Sequence, residues 1–231
     1  MGFVDNALVL YDRAFGSSIK DRSWRRIEKD NGSDQYMLLF LGWKASLRAA
    51  NHICKRFNDK NLIIYELPNS MLSGDLRTMK GSWDEVLYHV RKDIKRYRIT
   101  AVYGLSLGNT LALYASKRCS AKDVYMDLPY HMLAYVIWHG PLTSSVKREL
   151  EKNRHTYIEL RRFLRPYEPV HNLSDKNYHV FVANCDSIVP RESVEVLLKK
   201  MEPYKPRVHI APFLGHYLGA LYSFYGRWLD S

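Results

Sequence analysis

Val102-Tyr103-Gly104-Leu105-Ser106-Leu107-Gly108-Asn109 decides how the rest of this 231-residue chain is read. A serine stands between two glycines, directly after a run of β-forming residues. Glycine weakens strands and helices alike, so its use here needs a backbone reason. A sharp turn from a strand into a helix supplies one. It pushes the serine into a strained conformation above the sheet, and the flanking residues must be small or they collide with neighbouring backbone. Thr100–Leu105 (TAVYGL) reads as the strand and Asn109–Lys117 (NTLALYASK) as the helix.

Working outward, strand-like and helix-like segments alternate. Tyr36–Trp43 is a short apolar run ending near a glycine, and Asn61–Leu67 is a second, closed by Pro68. Met132–Trp138, Tyr178–Ala183 and Arg207–Ala211 read as further strands. Helical spacing covers Ala45–Phe57, Ser82–Tyr97, Val146–Leu164, Glu192–Met201 and Tyr217–Leu229. Ser82 with Glu85 has the form of a capping box. Ala7–Tyr11 and Trp24–Ile27 are candidate edge strands. The alternation predicts a single α/β domain over 1–231, with a mainly parallel sheet and helices on both faces. Residues 142–177 are too few for a full cap domain. They predict a short helical insertion at a pocket mouth, with Tyr157, Phe163 and Tyr167 as lining.

Composition narrows the classes. An apolar fraction of 46% supports one sizeable core. No apolar run reaches the length of a membrane span. The N-terminus has no basic leader with a long apolar centre, so the expectation is a cytoplasmic protein. Asn6 stands where a myristoylation signal prefers Ser or Thr. The cysteines Cys54, Cys119 and Cys185 are widely spaced and odd in number, which fits free thiols rather than a disulfide scaffold or zinc site. The net charge of +11 is spread along the chain and not gathered into one tract. It reads first as a solubility trait. Nucleic acid is not the expected partner, while a peripheral anionic surface stays open.

A serine hydroxyl needs a base to attack, and the base needs an acid to orient it. In a fold with this elbow the chain order is Ser, Asp or Glu, then His. His216 lies just after the last predicted strand, with Gly215 before it. His209 falls inside that strand, and His139 precedes the expected acid. Asp186 follows the strand Tyr178–Ala183, at the end where ligands meet open α/β sheets. Its competitor Asp175 lies at the wrong end. An oxyanion needs backbone donors: the N–H of Leu107, after the nucleophile, and that of Trp43, in the loop after an earlier strand.

Together GLSLG (104–108), CDSIVP (185–190), LGH (214–216) and GWKAS (42–46) resemble the motifs of the α/β-hydrolase superfamily, and the resemblance runs from about Tyr36 to the end. Leu41 stands where the family often has a histidine, but the donors are backbone groups and do not require it. The resemblance implies an α/β-hydrolase fold with a small cap or none. It also implies a serine hydrolase that needs no cofactor or metal, with Ser106, Asp186 and His216 as triad and Trp43 and Leu107 at the oxyanion. A carboxylic ester is the first expected substrate, small or carrier-bound. A thioesterase or acyltransferase acting on an acyl carrier would use the same residues, and a silent basic binding module is the alternative from another class.

Overall fold

The computed structural model describes residues 24–45 and 47–225. The edge strand expected at Ala7–Tyr11 and the end of the last helix lie outside them. The seven strands are β1 (Arg25–Lys29), β2 (Tyr36–Phe40), β3 (Asn61–Glu66), β4 (Ile99–Leu105), β5 (Asp123–Asp127), β6 (Asn177–Ala183) and β7 (Arg207–Ala211). They form one sheet in the order β1-β3-β2-β4-β5-β6-β7. Every pairing is parallel except β1 on β3. β1 is therefore the expected edge strand around Trp24–Ile27, running antiparallel.

Eight helices accompany the strands among the described residues: α1 (Leu47–Cys54), α2 (Leu76–Arg96), α3 (Gly108–Ser116), α4 (Leu133–His139), α5 (Ser144–Lys152), α6 (Tyr157–Leu164), α7 (Arg191–Met201) and α8 (His216–Tyr225). The strand pleat sends alternate residues to opposite faces. Met37, Leu39, Ala101, Tyr103 and Phe181 meet α1 and α8 on one face. Leu38, Phe40, Val102, Val124 and Val180 meet α2, α3 and α7 on the other. Burial on both faces explains why the central strands read as continuous apolar runs.

Three expectations are corrected. Met132–Trp138 is helix α4, not a strand. Its Leu133, Ala134, Val136 and Ile137 are buried, and the Glu168 carboxylate accepts from the first-turn N–H groups of Leu133 and Ala134. A seven-residue apolar run fits either element, and the buried acceptor at its start selects helix. The strand of that βαβ unit is instead Asp123–Asp127, whose acidic ends hide a three-residue apolar centre.

Second, the helix expected from Ser82 begins at Leu76. The Asp75 carboxylate accepts from the N–H groups of Arg77 and Thr78, making it the cap. Ser82 lies inside the helix and its hydroxyl is hydrogen-bonded to Ser70 Oγ and to the Thr78 carbonyl. Third, Val146–Leu164 is two helices. Arg154 takes a φ of 62°, and Thr156 with Glu159 forms a capping box that starts α6 afresh.

Candidate active site

β4 and α3 build the turn that holds Ser106. The serine has a φ of 49°, in the left-handed region that non-glycine residues enter at a cost. The surroundings fix it there. Its N–H donates to the Asp127 carbonyl at 2.8 Å, and its own carbonyl accepts from Asn109 N at 2.9 Å and Asn109 Nδ2 at 2.9 Å. Asn109 Nδ2 also reaches the Asp127 carbonyl at 2.8 Å. A Cβ at Gly104 would lie 2.6 Å from the Asn109 Cα, and one at Gly108 would lie 2.1 Å from the Phe40 carbonyl oxygen. Both glycines of the motif are thus required by close approach of backbone.

Asp186 follows β6 and His216 opens α8. The structure brings them together: His216 Nδ1 and Asp186 Oδ2 are 2.7 Å apart, and both side chains are over nine-tenths buried. The other oxygen, Asp186 Oδ1, accepts from the N–H groups of Ile188 at 2.8 Å and Val189 at 2.9 Å. Those bonds fix the plane of the carboxylate. With Nδ1 turned to Asp186, Nε2 lies on the opposite side of the ring.

Ser106 and His216 line one cavity of about 430 Å³. Its remaining wall is mainly apolar, with Leu72, Leu133, Val136, Ile188 and Leu221 among the lining residues. The loop after β2 forms another side through Gly42, Trp43 and Lys44, and Leu107 closes the end near Ser106. The structure thus gathers all five expected residues at the carboxyl ends of the strands, four of them on this cavity, with Asp186 behind His216. Lys44 lies over the Trp43 ring at 4.2 Å and has a φ of 62°, which turns the chain sharply at the cavity edge.

Other expected lining residues lie elsewhere. Tyr167 stacks on Trp83 with ring centroids 5.0 Å apart, and Phe163 packs with it against the core. Tyr157 lines a separate cleft of about 340 Å³ with Arg161, Arg162, Arg165 and His171, and the Glu168 carboxyl lines it too. From the 142–177 segment only Leu142 and Thr143 reach the main cavity. His139 is exposed, and its ring lies tilted against that of Tyr135. His209 stacks on Phe181.

One residue at the site escapes the sequence reading. Asp127 ends β5 and is fully buried beside the triad candidates. Burial pushes its carboxyl up to about 7. Only its place at the end of a strand, next to the strand that carries the elbow, could have marked it.

No protein-family model matches the sequence, and comparison with curated proteins returns no match. Solved structures do match. A lipase-esterase related protein from Clostridium acetobutylicum aligns with a TM-score of 0.58 at 16% identity, covering 90% of this chain and 98% of that one. The esterase domain of a Rhodothermus marinus protein aligns with a TM-score of 0.55 at 12% identity, covering 88% and 96%. MGS-MChE2, an α/β hydrolase enzyme from a lagoon-sediment metagenome in Morocco, gives 0.55 at 16% identity, covering 91% and 96%. At these identities the likeness is one of fold. The chain has the α/β-hydrolase fold, and the described residues hold no large cap.

Proposed function

We propose that the protein is a serine hydrolase that cleaves carboxylic esters through an acyl-enzyme. The observation that carries this reading is His216, bonded to buried Asp186 and lining the same cavity as the strained Ser106. In the first half-reaction Ser106 Oγ forms a bond to the acyl carbon while His216 Nε2 takes the hydroxyl proton. The tetrahedral adduct collapses, the ester C–O bond breaks, and the imidazolium returns the proton to the departing alkoxide. Water then repeats the sequence with His216 as base, releasing the acid and restoring Ser106. Asp186 holds the imidazole tautomer and stabilises the imidazolium throughout.

The N–H groups of Trp43 and Leu107 are the proposed oxyanion donors. Each belongs to a residue on the cavity wall, and the positive end of α3 lies beside Leu107. The apolar wall suits a hydrocarbon acyl group more than a polar one. The test is turnover of a series of p-nitrophenyl esters by the parent and by Ser106→Ala. Saturable hydrolysis by the parent alone supports the reading. Equal rates in both proteins overturn it.

A thioester of a phosphorylated carrier is the second reading, and one observation favours it. Met132 lines the basic cleft and Leu133, the next residue, lines the acyl cavity. An acyl chain in the cavity would thus sit one helix end from three guanidinium groups. Burial, Arg165, Arg161 and Lys117 together hold the His171 imidazole there below its ordinary range.

A further inference from the structure

The proposed chemistry leaves one carboxyl beside the site without a task. Asp127 is fully buried at the end of β5, between the strands that lead to Ser106 and to Asp186. Its backbone carbonyl accepts from Ser106 N–H and from Asn109 Nδ2, both at 2.8 Å. Its side-chain Oδ2 accepts from Tyr103 Oη at 2.8 Å and bonds to Ser223 Oγ. Ser223 belongs to α8, about two turns beyond His216 and so on the same side of that helix.

The proton count on this link is informative. Ser223 Oγ has one proton, yet it faces two acceptors, Asp127 Oδ2 and the Ala220 carbonyl at 2.8 Å. Both contacts are satisfied when Asp127 carries the proton and donates it to Ser223, which then donates to Ala220. Asp127 Oδ1 is buried with no hydrogen-bond partner among the described residues. That is costly for a carboxylate and much cheaper for a neutral acid. Burial acts in the same direction, holding the proton on this group up to about neutrality.

We infer that Asp127 is a positioning residue: its carboxyl fixes the helix that opens with His216, and its carbonyl fixes the turn of Ser106, so one residue sets nucleophile and base against each other. This rests on the reading of Ser106 and His216 given above. The groups that face Asp127 are Tyr103 from β4, Ser223 and His216 from α8, and Asp186 from the loop after β6, with Arg56 acting through Tyr103. Once ionised, Asp127 favours the imidazolium of His216. A purely structural anchor would not act on that titration.

The test records the His216 titration by NMR in the full chain with labelled histidine, assigned with His216→Gln. It compares the parent, Asp127→Asn and Ser223→Ala, alongside fluorophosphonate labelling rates. In Asp127→Asn the part of the His216 titration above about neutrality, where Asp127 ionises in the parent, should move down, because the charge that Asp127 takes on there is lost. Labelling should slow by about tenfold or more in both variants, as expected when nucleophile and base lose alignment. A His216 titration unchanged at every pH, above neutrality included, or a parental labelling rate in folded Asp127→Asn overturns the inference. If Asp127→Asn does not fold, Ser223→Ala decides: slowed labelling supports the inference and the parental rate overturns it. Failure of the parent to label would sink the proposed function instead, while the titration would still decide whether Asp127 acts on His216.

Discussion

Asp186 holds His216 with one carboxylate oxygen and two backbone amides with the other. The 2.7 Å contact to Nδ1 is thus made by an acid whose orientation is set by Ile188 and Val189. Asp186→Asn keeps an acceptor for those amides but loses the charge that supports an imidazolium. The expected result is a folded protein whose kcat falls by about a thousandfold or more. Circular dichroism and ester turnover check this, and a loss under about tenfold would place the acid elsewhere.

Gly108 is the tightest point of the elbow. An alanine Cβ would lie 2.1 Å from the Phe40 carbonyl oxygen, and backbone cannot step aside as a flexible side chain can. Gly108→Ala should destabilise the fold by about 2 kcal/mol or more, or displace the turn with loss of activity. Urea unfolding together with ester turnover measures both effects.

Glu168 sets a pH dependence of stability. It is buried, and burial pushes its carboxyl up to about 7 against the amides of Leu133 and Ala134 that favour ionisation. Its folded value lies above its unfolded one, so the folded state binds the proton more tightly. Stability from this group is therefore present at low pH and is lost as pH rises from about 4.5 toward 7. The slope per group is at most about 1.4 kcal/mol per pH unit. Glu168→Gln should be less stable at pH 5 because one acceptor is gone, yet lose less between pH 5 and pH 8, each fixed by urea unfolding. An unchanged slope would mean Glu168 is already ionised across that range.

The basic cleft separates the two substrate readings. Arg161→Glu reverses a charge beside Met132 without touching the acyl cavity. If a phosphorylated carrier binds there, the variant's KM for an acyl-CoA should rise about tenfold or more, increasingly so at low salt, with its KM for a p-nitrophenyl ester unchanged. Equal behaviour on both substrates would leave the oxygen ester as the better reading.

What the sequence made legible follows physical rules that act locally. The elbow could be read because two glycines flank a serine where a strand meets a helix, and the steric demand is that local. Asp186 and His216 could be placed because the order of elements puts each after a particular strand. Met132–Trp138 was illegible because its helical state depends on Glu168, an acceptor remote in sequence. Asp123–Asp127 was hidden by its acidic ends, and Asp127 owes its burial to Tyr103 and Ser223, which only the fold brings to it. Tyr167 reads as pocket lining because it falls in the segment expected at the pocket mouth, but Trp83 of α2 gives it a stacking partner that no local pattern announces.

Every proposed step depends on Ser106 being an activated nucleophile. The most direct measurement is reaction of the purified full chain with a fluorophosphonate, with the modified residue located by peptide mass spectrometry. One adduct is expected, on Ser106, absent in Ser106→Ala and strongly slowed in His216→Gln. A folded parent that stays unlabelled, or that labels equally after Ser106→Ala, would contradict it.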